Sequence, residues 1–306
     1  MHPLLRAIFS PSFAASILRV TTPILFAALG AVVADLSGVV NIALEGIMLT
    51  SALTGVVVSA FTKSAWIGLL AGMAAGSLIG LLLGYFHLKL KTNVILAGIA
   101  FNLLAAEGTV FLLYVVAHDK GVSSSLASKV IPEWQIPIIK DIPVLGAILG
   151  KQNALTYMAL IAVGMVYLLL FKTSFGLRLR AVGENPDAAD SVGISVHRVQ
   201  FVALAISGAL ASMGGAHLSM GYVSWFSRNM TSGRGFIALA AEALGRRHPI
   251  GVLIASLLFG FADALSNYMQ SLRVPGEFVQ MIPYVLTLVA LAVYSGRQIK
   301  TRRFSK

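Results

Sequence analysis

The sequence predicts an all-α polytopic membrane protein, and three observations carry that reading. Of 306 residues, 57% are hydrophobic and only 11% charged, with a mean hydropathy of +0.85. A soluble domain of this size cannot bury so much apolar surface. The apolar runs are about 17–25 residues long, the length a bilayer-crossing helix needs, and they do not alternate polar with apolar as barrel strands do. Helices also satisfy every backbone N–H and C=O internally, which hydrocarbon demands. Finally, the excess of 23 Lys and Arg over 12 Asp and Glu lies largely in short links and in the tail. That placement fits cytoplasmic loops against anionic headgroups better than a nucleic-acid surface.

Hydropathy marks nine segments: 18–34, 39–60, 66–86, 93–117, 153–171, 199–221, a short one at 234–245, 250–268 and 278–295. The stretch 23–34 has the look of a leader core, but a second membrane-length run follows at once, so it reads as a first span. The tail carries Arg297, Lys300, Arg302, Arg303 and Lys306 without an acid, and is assigned to the cytoplasm with the HLKLK link at 87–91 and the loop 172–198. Two spans separate these loops, so 118–152, with Pro132, Pro137 and Pro143, is expected as an extracytoplasmic loop. The four segments after 198 return the chain to the same side only if 234–245 crosses or forms part of a crossing. That segment is bounded by Gly and followed by Arg246-Arg247-His248-Pro249, the pattern of a broken helix near a solute path. The whole chain, 1–306, reads as a single transmembrane domain. Gly72, Gly76 and Gly80 at four-residue spacing allow close helix approach within the chain or to a partner.

The stretch RAVGENPDAADSVGIS at 180–195 is unusual in such a chain. Asn185 is placed to cap a helix starting at Pro186, with Asp187 and Asp190 in its first turns and Gly193 to end it. A helix of roughly two turns follows, about 10–12 Å long and marginal on its own in water. Ala188, Ala189 and Val192 are expected to face a partner, rimmed by Arg178, Arg180, Glu184 and Arg198; an ordinary capped loop is the competing reading.

At this point the sequence resembles a known family. GLRLRAVGENPDAADSVGISVHR, then GRGFIALAAEALGRRHPIGVLIASLLFGFADAL, LSGVVNIALEGIMLTSAL at 36–53 and TNVILAGIAFNLL at 92–104 are similar to the membrane permease subunits of ATP-binding-cassette importers. The branch is the branched-chain amino acid permease-like one serving nucleosides, simple sugars and related metabolites. The resemblance implies that 184–193 is the coupling helix, seated in a cleft of a cytoplasmic ATPase. It also implies a second permease subunit, an extracytoplasmic substrate-binding protein, and a place in the bacterial inner membrane. The chain departs from the family's pattern at Glu242 and at Arg247-His248, so the solute is not copied from relatives. No GxxxxGK[ST] stretch occurs, so ATP is used by partner subunits and this chain binds no cofactor.

Polar residues inside apolar runs mark a substrate path or a helix–helix hydrogen bond, because charge at mid-bilayer is costly. The candidates are Asn41 with Glu45 four residues on, Asn102 and Glu107 in the fourth segment, Glu242 in the short one, and Asp263 with Asn267. Asn41 and Glu45 are expected on one helix face. Phe101 and Phe236 are possible stacking surfaces, or simple packing. The absence of Cys excludes thiol chemistry, the scattered His show no metal-ligand spacing, and no nucleophile, base and orienting group form a catalytic set. The expected function is import of a small polar solute, a purine nucleoside first, with a sugar or vitamin permease as alternative. A self-contained ion-coupled transporter using Glu45, Glu107 or Asp263 is the rival from another class.

Overall fold

The computed structural model describes residues 10–136 and 145–271. It is a bundle in which seven of the expected segments are helices long and apolar enough to cross a membrane. Helix α1 (Pro11–Asp35) begins earlier than hydropathy alone suggests, because Ser10 caps it by accepting a hydrogen bond from the Phe13 N–H at 3.2 Å and Pro11 occupies its first turn. It is followed by α2 (Leu44–Thr62) and α3 (Ala65–Gly84), which runs on through a π turn to Lys89. Then comes α4 (Val94–Ala117), capped by Asn93. The segment expected at 278–295 and the basic tail lie outside the described residues.

The loop after α4 is not merely an exposed cap. Strands β1 (Glu133–Gln135) and β2 (Lys151–Asn153) pair antiparallel, with the short helix α5 (Leu145–Leu149) before β2. Asn153 donates to the carbonyls of Ile131 and Gly221. The N–H of Ser123 donates to the Phe226 carbonyl at 2.9 Å, and that of Phe226 to the Ser123 hydroxyl at 2.7 Å. Buried backbone groups here are thus paired across the cap, which stitches Ser123, Ile131 and Asn153 to the loop 221–233.

At the other end, α6 (Ala154–Lys172) leads into two short helices, α7 (Ser174–Glu184) and α8 (Pro186–Ser191). Helix α9 (Val196–Met220) then runs back through the centre, packed along α1, α2 and α3. Helix α10 (Arg234–Leu244) has 11 residues, and α11 (Pro249–Ser271) closes the described bundle. Residues 221–248 connect opposite ends. Tyr222 lies under the Arg19 guanidinium, 3.9 Å from its ring centre, while Arg247 pairs with Asp35. Sixteen residues of α1 separate those contacts, about 24 Å of helix. An 11-residue helix spans only about 16 Å, so the connection is part helix and part loop.

The glycine stripe serves packing within the chain. A Cβ on Gly76 would lie 2.8 Å from the Gly208 carbonyl oxygen of α9 and 2.8 Å from Ile47 of α2; one on Gly72 would lie 3.1 Å from the Ser51 carbonyl oxygen. By contrast α4 is largely unburied, with Leu96, Leu103, Leu104 and Phe111 exposed. We expect Gly76→Ala to destabilise the detergent-solubilised protein by about 1–3 kcal/mol through overpacking. Gly164→Ala, where an added Cβ meets nothing within 4 Å, should leave the unfolding midpoint unchanged.

Candidate functional site

The non-helical strap 36–43 and the short helix α10 set the site, because both place irregular backbone inside an apolar bundle. Such backbone persists only where it is buried against protein groups that pair with it or lines a water-filled cavity. Asn41 lies in the strap before α2, not on its face, so the expected same-face pair with Glu45 does not form. Fully buried, Asn41 donates to the Ser207 hydroxyl at 3.0 Å and accepts from the Ala43 N–H at 3.1 Å. Asn102 of α4 accepts from the Gly46 N–H at 2.8 Å and donates to the Ile42 carbonyl at 2.9 Å. Two amides therefore fasten the strap from opposite sides.

Glu45 spans the gap from α2 to α10. Its Oε1 accepts from the Gly233 N–H at 2.8 Å and its Oε2 from the Gly235 N–H at 2.6 Å. Gly233 precedes α10 at φ +79° and supplies no side-chain cap, so this carboxylate does the capping. A negative charge against the positive end of the helix is the favourable sense. A Cβ at Gly235 would fall 2.8 Å from Glu45 Oε2, so Gly there is a condition of the approach. Arg234, first residue of α10, pairs with Asp263 of α11 at 2.9 Å, both largely buried. At the far end of α10 buried Glu242 lies beside Asp35, which pairs with Arg247.

The other expected path residues are placed differently. Glu107, 75% exposed on the open side of α4, pairs with Arg228 of the 221–233 loop at 3.5 Å. Phe101 stands edge-to-face with Phe86, ring centres 5.8 Å apart, and borders an open apolar groove with Thr50, Leu104 and Phe111. Phe236 and Asn267 are exposed. The structure thus gathers Asn41, Glu45 and Asn102 around the strap, sets Asp263 and Glu242 at the two ends of α10, and pairs Glu107 elsewhere. Asp35, Ser207, Arg228 and Arg234 were not singled out from sequence. An acid closing the first apolar run and an Arg opening the short one were the available signals.

At the end opposite the cap, Asn185 accepts from the Ala188 N–H at 3.0 Å with Pro186 in the first turn, as the sequence predicts. Helix α8 stops at Ser191, shorter than two full turns to Gly193, which turns the chain at φ +83°. The Ile194 N–H then donates to the Ala189 carbonyl. Ala189 is 3% exposed and packs into this chain's own core, correcting its expected place on the partner-facing surface. Val192, 74% exposed, and Ala188 stay open, as do Glu184, Asn185, Pro186 and Asp187. Arg180 is half-buried, its guanidinium 5.0 Å from the Phe171 ring centre.

A bundle of apolar spans holding a strap and a half-length helix by buried polar groups is built as a membrane transport subunit. Residues 13–291 match the family model described as branched-chain amino acid transport system / permease component, and the chain belongs to that family. It is 36% identical to the nucleoside ABC transporter permease protein NupC of Lactococcus lactis, over 93% of this chain and 92% of the relative. It is 38% identical to the guanosine ABC transporter permease protein NupQ of Bacillus subtilis, over 90% and 89%. A chain in the structure of PsaBC from Streptococcus pneumoniae in complex with Fab shares the fold, with a TM-score of 0.54, 16% identity and 94% of each chain covered. The protein is thus a multi-pass permease of the bacterial cytoplasmic membrane.

Replacing Asn102 by Leu keeps its bulk while stranding the Gly46 N–H and Ile42 carbonyl inside the bundle. Each stranded group costs about 1–3 kcal/mol. Thermal unfolding of the purified protein should show that loss, and an unshifted midpoint would mean that the strap is held by packing alone.

Proposed function

We propose that this chain is the permease half of an ATP-driven importer, carrying a small polar solute of the purine nucleoside class. It works with a second permease chain, a cytoplasmic ATPase and an extracytoplasmic solute-binding protein. The relatives named for nucleosides and guanosine support the solute class. One observation carries the mechanism. Helix α8 is capped by its own Asn185 and anchored by Ala189, yet Ala188 and the Val192 that follows its last turn face outward at the end of the bundle opposite the cap. A six-residue helix does not hold itself in water, so a pre-formed one with an open apolar side suits docking into a cleft. On this reading 172–198 is the cytoplasmic coupling loop, 118–152 faces outward, and 221–248 with 278–295 completes nine crossings.

The open side of α4 supports a path between two permease chains. Glu107 is the fourteenth of 24 residues in that span, where a lipid-facing carboxylate is costly. With Arg228 it forms an exposed, neutral ion pair suited to a hydrated route bordered by Phe101. Glu45 and Asp263 are less suited to ion coupling, since both Glu45 oxygens cap α10 and Asp263 holds Arg234.

The test is uptake of radiolabelled guanosine into proteoliposomes holding the four-component complex, with and without ATP. Uptake that ignores ATP would overturn the reading. Val192→Asp should lower ATP-dependent uptake roughly tenfold, about 1.4 kcal/mol at the docking contact, with the permease still folded. Ala189→Arg should instead disrupt the chain's own packing.

A further inference from the structure

We propose that α10 is the moving element of this permease, driven from α7 through a clamp at each of its ends, with Glu45 as the positioning residue of the first clamp. The proposal rests on the reading of α8 as the ATPase contact, because α7 is the helix directly joined to it.

The first clamp starts where α7 meets the strap. Gly183 near the end of α7 lies against Leu36 and Gly38; a Cβ on Gly38 would sit 3.3 Å from the Gly183 Cα, and one on Gly183 would collide with the Leu36 carbonyl. Two backbones in contact without intervening side chains transmit a displacement with little slack. The strap runs from Gly38 to Glu45, whose carboxylate holds the first N–H groups of α10. Asn41 and Asn102 fasten the strap on the way, so the push is not lost in loop motion.

The second clamp reaches the other end of α10. Arg180 of α7 lies over the Phe171 ring, and Phe171 meets His248 at a tilt with ring centres 5.3 Å apart; Tyr167 meets the same imidazole edge-on at 5.7 Å. His248 follows Arg246 and Arg247, both at φ +57°, a left-handed conformation that non-glycine residues rarely hold. Outside contacts pin this turn: Arg247 to Asp35, and His248 to the two rings. Both ends of one short helix are therefore a contact or two from the same cytoplasmic arm. Capped at one end and bolted at the other, an 11-residue helix moves as a body.

The experiment uses the assembled complex in proteoliposomes. Glu45→Gln removes the charge at the first clamp and Phe171→Leu removes the ring at the second. Each should lower guanosine uptake per ATP hydrolysed about tenfold, within the range of coupling between sites, while the ATPase rate and complex yield stay near wild type. Glu45→Asp should restore part of the loss. The chain has no Cys, so spin labels placed at Phe236→Cys on α10 and Ile67→Cys on α3 before it is assembled with its partner subunits report a single distance. That distance should change when ATP binds the wild-type complex and stay fixed in Glu45→Gln. An unchanged distance during active wild-type uptake, or wild-type uptake per ATP in both variants, overturns the proposal. Wild-type complex without ATP-dependent uptake would instead overturn the underlying functional reading. Should Glu45→Gln fail to assemble, Phe171→Leu decides alone.

Discussion

A backbone N–H inside a bilayer has no water to bond, and the strap 36–43 and the start of α10 are both arranged around that constraint. The carboxylate of Glu45 is where the constraint is met most fully, with one oxygen on the Gly233 N–H and the other on the Gly235 N–H. Without it α10 would begin mid-bundle with bare donors. With it, a helix too short to cross can start inside the membrane, and the chain can travel from the cap to the opposite end partly as loop. The strap 36–43 obeys the same rule through Asn41 and Asn102. Close helix contacts follow from the same need for fit, since Gly76, Gly208 and Gly235 sit where any side chain would push backbones apart.

Satisfied interior polar groups change how charge in the spans is read. A carboxylate in an apolar run first suggests solute or ion chemistry, yet Glu45 is engaged in capping α10 and Asp263 in pairing with its first residue. Glu107 is the exception. It lies on the least buried helix, on a side this chain leaves open, and its partner Arg228 comes from the loop that precedes α10. A transport subunit made of one half of a larger bundle would expose just such a face, because its path is complete only when another chain covers it.

The cassette at 180–195 joins two roles that the sequence ran together. Its capping is local chemistry: Asn185, Pro186 and Gly193 act on their own neighbours, and each does what its residue type favours. Its orientation is not local. Ala188, Ala189 and Val192 are alike in apolarity, and only the packing of α7, α8 and α9 turns Ala189 inward while leaving Val192 in the open.

The sequence by itself determined the class of fold, the places of seven spans, the shortness of the 234–245 helix and the capped turn at 186. Each of these follows from runs of hydropathy or from contacts within four residues along the chain. Tertiary structure alone decided that Asn41 stands outside the helix of Glu45, that Glu45 caps a helix 188 residues further on, and that Arg234 and Arg247 find Asp263 and Asp35. A polar residue in an apolar span announces that it has a partner, but which partner depends on how helices cross, and no local pattern encodes that.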